Sequence, residues 1–315
     1  MYYLGIDLGG TNIAAGLVDE NFNIVHKDSI PTNAQGRDDR AIVKDMVYIC
    51  KKILKDTDTD VSEVKWIGVG SPGTCDIKNG NIIYSNNIPF RNTPIRKWIQ
   101  EELDLPVYID NDANCAALGE AYAGATKDAE HSVMITIGTG LGGGVIINRK
   151  IYSGFNSSGG ELGHTVIVFD GEKCSCGRKG CWEAYGSANA LKSQTYKAVM
   201  ENPESILYNM CEGKAENISG KTSFDAMRAG CPVGKAVVDQ YIKYFAVGIV
   251  NMINIFQPEI LVIGGGVSKE GDYIIKPLMK YIEAERFSRD VPQTEIRTAQ
   301  LGNDAGIIGA AALGK

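Results

Sequence analysis

Two segments of the sequence, set 129 residues apart, share one pattern: an apolar strand, a turn rich in glycine, and a second apolar strand. The first reads Leu4-Gly5-Ile6-Asp7-Leu8-Gly9 and the second Val133-Met134-Ile135-Thr136-Ile137-Gly138. As an internal repeat they put one glycine loop in each of two domains; two unrelated hairpins would give the same overlay. Around them, apolar runs at 66–69 and 106–109 read as strands, and helical spacing of Ile42, Met46, Ile49, Cys50 and Ile53 predicts a helix over 38–55. Further helices are expected near 94–103 and over 112–122. This alternation is that of an α/β fold. A chain of 315 residues suits two modest cores, with a boundary expected near residue 120. Downstream, 183–255 reads as mostly helical, with the longest helix at 233–256. Residues 259–263 form a strand running into Gly264-Gly265-Gly266, and an Ala- and Gly-rich helix over 304–313 should pack closely on a neighbour.

Asp7-Leu8-Gly9-Gly10-Thr11-Asn12 lies between two strands. Adjacent glycines let backbone N–H groups approach a phosphate, and a carboxylate at the strand end could hold Mg²⁺ or its waters. An ordinary hairpin turn uses the same residues. The second loop, Gly138-Thr139-Gly140-Leu141-Gly142-Gly143-Gly144, contains a formal G-x-G-x-x-G, with Glu161 near the distance expected of an acidic partner. A dinucleotide fingerprint must open a helix, however, and here a strand follows Gly144. In Asn111-Asp112-Ala113-Asn114 the aspartate begins a helix, where it could be a simple cap or a general base for a hydroxyl.

Of the eight cysteines, Cys174, Cys176 and Cys181 fall within eight residues, shortly after His164. Three thiols and an imidazole complete a tetrahedral Cys₃His zinc set, and four protein ligands make such a site structural. Gly177 and Gly180 let the loop fold back. If His164 gives one ring nitrogen to the metal, the other is aimed in a fixed direction. Glu161 and Glu183 flank the same knot, and two carboxylates with an imidazole can bind vicinal hydroxyls; solvated surface glutamates are the plain alternative. Cys50, Cys75, Cys115, Cys211 and Cys231 read as small buried hydrophobes.

The net charge of −6 argues against a nucleic-acid partner. No apolar run approaches membrane-spanning length, and the first residues show no basic leader, so a cytoplasmic location is expected.

Taken together and in order, these motifs resemble the ROK family of bacterial sugar kinases, and within it the ATP-dependent glucokinases. The likeness covers nearly the whole chain and includes Ser71-Pro72-Gly73 and Gly264-Gly265-Gly266-Val267. It implies an actin-like (ribonuclease H-like) two-domain α/β fold with the active site in a cleft. The smaller domain would be 1–120 plus 302–315, with the C-terminal helix returning to it, and the larger would be 121–301. Asp112 is implied as the catalytic base. Asp7, Gly9, Gly10, Thr11 and Asn12, with Gly138, Thr139 and Gly140, are implied as the Mg²⁺–phosphate region, and Gly264, Gly265 and Gly266 as part of the adenosine site. Asn87, Asn111, Asp112, Glu161, His164 and Glu183 are implied as sugar contacts, with Asn86 beside Asn87. The resemblance further implies ATP, Mg²⁺ and structural zinc as cofactors, and a homodimer or tetramer. Glucose is the expected substrate. Ile88-Pro89-Phe90 departs from the tryptophan often found there in glucokinases, which loosens the choice of sugar and not of reaction. Rival readings are an N-acetylmannosamine or other hexose kinase, a sugar-binding repressor, and a sugar-binding protein without catalysis. The repressor class carries an N-terminal helix-turn-helix, for which a phosphate motif at residue 7 leaves no room. The intact Asp112 and glycine loops speak against the third.

Overall fold

The computed structural model describes all residues, 1–315. In chain order the strands and helices begin with β1 (Tyr2–Leu8), β2 (Asn12–Val18), β3 (Ile24–Pro31), α1 (Asp39–Asp56), β4 (Val64–Ser71), β5 (Thr74–Asp76), β6 (Asn81–Tyr84), β7 (Arg91–Thr93), α2 (Ile95–Leu103), β8 (Val107–Asn111) and α3 (Asp112–Ala123). They continue with β9 (Ser132–Ile137), β10 (Leu141–Ile147), β11 (Lys150–Ile151), α4 (Glu183–Gly186), α5 (Ala188–Glu201), α6 (Ile206–Cys211), α7 (Thr222–Arg228) and α8 (Pro232–Phe256). The last elements are β12 (Ile260–Gly265), α9 (Asp272–Glu285), β13 (Glu295–Thr298) and α10 (Asp304–Ala312). No helix is long and apolar enough to cross a membrane.

One five-stranded sheet has the order β3-β2-β1-β4-β8, a second the order β11-β10-β9-β12-β13, and a small three-stranded sheet the order β5-β6-β7. In the first, β1 pairs antiparallel with β2, and β1, β4 and β8 run parallel. The register sets Asp7 opposite Gly70 and Gly70 opposite Asp110, so the carboxyl ends of three parallel strands lie side by side. Leu4, Ile6, Leu8, Ile13 and Ile67 join Ile42, Met46, Ile49, Cys50 and Ile53 of α1 in one buried core. The five scattered cysteines are all buried, as small hydrophobes should be.

The chain divides into two compact units. One comprises 1–134, 144–160 and 299–315, the other 135–143 and 161–298. The boundary expected near residue 120 falls inside α3, and the chain first changes unit after Met134. The Glu120 side chain supplies the reason. It is fully buried and accepts hydrogen bonds from the backbone N–H groups of Ala125, Gln300 and Leu301. That carboxylate fastens the end of α3, the turn after it and the lead-in to α10 into one body. A buried charge is tolerated only with such partners.

The Ala- and Gly-rich α10 does pack closely. A methyl group built on Gly68 of β4 would lie 1.7 Å from the Ala310 carbonyl oxygen, and one on Gly309 would lie 1.6 Å from the Cys115 carbonyl oxygen. Backbone therefore meets backbone, with no flexible side chain to yield. Gly309→Ala should lower stability by about 3 kcal/mol or more, read as a drop in urea midpoint at unchanged slope. A loss under about 0.5 kcal/mol would contradict this packing.

Candidate active site

Within the first unit, β1 delivers Asp7 and the β1–β2 turn that follows it. The Gly9 N–H donates to the Asn12 carbonyl oxygen at 2.8 Å, closing the turn. Buried Thr32 supports it from beneath: its N–H donates to the Thr11 carbonyl and its hydroxyl to the Gly9 carbonyl, at 2.8 and 2.7 Å. Gly10, Thr11 and Asn12 stay exposed on the other side. A Cβ on Gly10 would lie 3.4 Å from Cβ of Asn87, so the structure sets Asn87, not merely the Asn86–Asn87 pair, beside this loop. Arg91 shapes the segment carrying Asn87 by donating to the Ser85 and Phe90 carbonyls at 2.9 and 2.7 Å.

The strand-to-helix junction β8–α3 separates two roles that the sequence left mixed. Asn111 is the N-cap: its Oδ1 accepts from the N–H groups of Ala113 and Asn114 at 2.9 and 3.4 Å. Its Nδ2 donates to the Gly73 carbonyl at 3.3 Å, tying in the Ser71-Pro72-Gly73 turn and leaving one amide hydrogen for another partner. Asp112 is thus the first helical residue and is not the cap, although its Oδ1 also accepts from the Ala113 N–H at 2.9 Å. Burial raises the Asp112 carboxyl above the usual range. Burial, with the nearby charge of Asp112 added, raises Asp7 to about 6. Asp110, which the motif reading passed over, is also buried and raised by burial. It accepts from Asn114 Nδ2 and the Asn111 N–H at 2.8 and 2.7 Å and so steadies the junction. Only its place opposite Gly70 reveals it, and that register is not a short-range signal. Two carboxylates so placed are hard oxygen donors of the kind Mg²⁺ takes.

In the second unit, Gly138 N–H donates to the Gly140 carbonyl at 3.0 Å and the Ala188 N–H at the start of α5 donates to the Gly138 carbonyl at 3.0 Å. Thr139 is exposed at the tip. β10 begins at Leu141, inside the glycine run, which confirms that no helix follows. Gly264 ends the buried part of β12, while Gly265 and Gly266 are exposed. The Gly266 N–H donates to the Ile137 carbonyl at 3.1 Å, directly beside the Gly138 loop, and the Ser268 hydroxyl donates to the Gly265 carbonyl at 2.7 Å. The two glycine segments of this unit therefore adjoin.

His164, Cys174, Cys176 and Cys181 come together with their donor atoms all within 4.8 Å of one another. His164 Nδ1 lies 3.6 Å from Cys174 Sγ, and Cys176 Sγ lies 3.7 Å from Cys181 Sγ. A tetrahedron with zinc–sulfur bonds of about 2.3 Å and a zinc–nitrogen bond of about 2.0 Å has edges of roughly 3.5–3.8 Å, which these two separations match, so the donor types and spacing suit a zinc ion. Because Nδ1 faces the thiols, Nε2 of His164 is left for another partner. Glu161 is exposed. Glu183 is half-buried, with one carboxylate oxygen accepting from Ser175 Oγ and the other from the Leu141 N–H, both at 3.0 Å.

The sequence matches the ROK family over residues 3–315. The chain belongs to the ROK family. It is 39% identical over 310 residues to a glucokinase of Halalkalibacterium halodurans, covering 98% of this chain and 93% of that one. It is 34% identical over 315 residues to a glucokinase of Streptomyces coelicolor, covering 99% and 97%. Among solved structures it resembles a ROK family glucokinase from Streptomyces griseus in complex with glucose and AMPPNP, with a TM-score of 0.81, 33% identity and 99% of each chain covered. The ROK fold, α/β and actin-like, is the fold of this chain.

The raised Asp7 carboxyl has a measurable consequence for this ROK protein. Its value moves from 3.8 to about 6 on folding. The native state therefore binds its proton more tightly than the unfolded chain does, and ionised Asp7 costs stability as pH rises through 6. Asp7→Asn removes that cost. Its stability advantage should be absent below about pH 4, grow between pH 4 and 6, and be complete above 6, as read from thermal midpoints across pH 3.5–8. An advantage that shrinks with rising pH would contradict the assignment.

Proposed function

We propose that this chain is an ATP-dependent hexose kinase that converts glucose to glucose 6-phosphate. The observation carrying this reading is Asp112, a half-buried carboxyl raised by burial, standing beside the N-cap Asn111 and raising Asp7 by its charge. The similarity to glucokinases over nearly the full length supports it.

Asp112 acts as the base. One carboxylate oxygen accepts the proton of the sugar 6-hydroxyl as the hydroxyl oxygen bonds the γ-phosphorus and the bond from γ-phosphorus to the bridging oxygen breaks, releasing ADP. A carboxyl raised toward neutrality is better matched to this transfer than an ordinary one. Phosphoryl transfer depends chiefly on positioning and charge neutralisation. Asp7 holds the Mg²⁺ of MgATP, which neutralises phosphate charge when bound. The loops Gly9-Gly10-Thr11-Asn12 and Gly138-Thr139-Gly140 receive the phosphates: the Gly9 and Gly138 N–H groups close the two turns, and N–H groups not used inside the turns are the donors. Gly264, Gly265 and Gly266 take part in holding the adenosine. Asn87, Asn111, Glu161, Glu183 and Nε2 of His164 bind sugar hydroxyls. His164 Nδ1, Cys174, Cys176 and Cys181 hold a structural zinc ion. The same reading makes the protein a cytoplasmic homodimer or tetramer serving sugar breakdown.

Asp112→Asn should reduce kcat by about 10²- to 10⁴-fold. Its glucose affinity should stay within about threefold of the parent, because an amide keeps the shape of the carboxylate and a sugar hydroxyl can turn to accept from its NH₂. Coupled ADP release across glucose, mannose, fructose, N-acetylglucosamine and N-acetylmannosamine, with calorimetry of glucose binding, measures both. A variant that turns over within tenfold of the parent would remove Asp112 from the chemistry. Preference for N-acetylmannosamine would move the substrate assignment within the family.

A further inference from the structure

Leu141 is gripped from two sides by the segments that carry the thiols and the imidazole. Its N–H donates to Glu183 Oε2 at 3.0 Å. Its carbonyl oxygen lies where Gly163 passes, so close that a Cβ on Gly163 would sit 2.1 Å from it. Gly163 precedes the ligand His164, and Glu183 follows the ligand Cys181 by two residues. The other oxygen of Glu183 accepts from Ser175 Oγ at 3.0 Å, and Ser175 stands between the ligands Cys174 and Cys176. Cys174 Sγ itself lies 3.6 Å from that same Oε1. A metal-bound thiolate has no proton to give, so in the loaded protein the Ser175 hydroxyl is the donor that lets a carboxylate rest against a negative sulfur.

We propose that Ser175 is a positioning residue: through Glu183 it ties the metal knot to the Leu141 amide and thereby sets the order of the Gly138–Gly144 loop. Metal loading then controls the loop as well as the knot. The link to nucleotide affinity rests on the phosphate role given to this loop above, whereas the link from metal to loop does not.

Hydrogen–deuterium exchange with zinc analysis separates the two. In the parent protein, stripping zinc should speed exchange at the Leu141 amide about tenfold, as expected when a charge-assisted hydrogen bond loses its anchor. Ser175→Ala, loaded with about one zinc per chain, should speed the same amide by a similar factor while other segments exchange as before. Its KM for ATP should rise severalfold with kcat less affected, and Ser175→Thr, which keeps the hydroxyl, should restore both. Unchanged Leu141 exchange in the alanine variant and in zinc-free parent protein would overturn the proposal, as would loss of zinc from the alanine variant, which would make Ser175 a part of the knot alone. An altered exchange pattern with no ATP turnover in any variant, the parent included, would uphold the link and refute the kinase reading instead.

Discussion

Two half-buried carboxylates, Asp7 and Asp112, the charge of the second raising the first, govern this protein. Asp7 ends a strand and Asp112 begins a helix, and burial together with the Asp112 charge keeps the Asp7 proton bound up to about pH 6. Such a pair is costly by itself. It becomes useful where a cation arrives with the substrate, because the repulsion that penalises the empty site is then relieved by the bound state.

The fold brings the pair together by simple means. Parallel pairing of β1, β4 and β8 aligns Asp7, Gly70 and Asp110 across the sheet. Gly70 lets α3 come close to the sheet: a Cβ there would press on Cys115 at 3.1 Å and lie 3.6 Å from the Asp112 Cα. Asn111 takes over the capping of α3, so Asp112 gives only Oδ1 to the helix end, through the Ala113 N–H. Glu120 and the backbone contact of α10 fix α3 from the far side. Each device is ordinary, and their convergence on one junction is what gives the site its chemistry.

Much of this was legible because it depends on residue types at short spacing. Adjacent glycines between strands, Asn-Asp at a strand-to-helix step, and three thiols with an imidazole each narrow the chemistry without a structure. Longer-range facts were hidden. β3 shows no apolar run, since half-buried and exposed residues alternate along Ile24–Pro31. α9 carries Pro277 in its interior, and β13 is only four residues long. Asp110 gains meaning from its register, and Ser175 from a loop that folds back; neither relation has a local signature. The nearness of Asn87 to Gly10 likewise has no local signature.

The most direct measurement of the central claim is a carboxyl-carbon NMR titration of Asp7 with and without a magnesium-bound, non-hydrolysable ATP analogue. The midpoint should lie near 6 in the free protein and fall to or below the ordinary carboxylate range, about 4, once the magnesium–nucleotide complex is bound. A midpoint that stays where it was in the presence of saturating complex would contradict that claim.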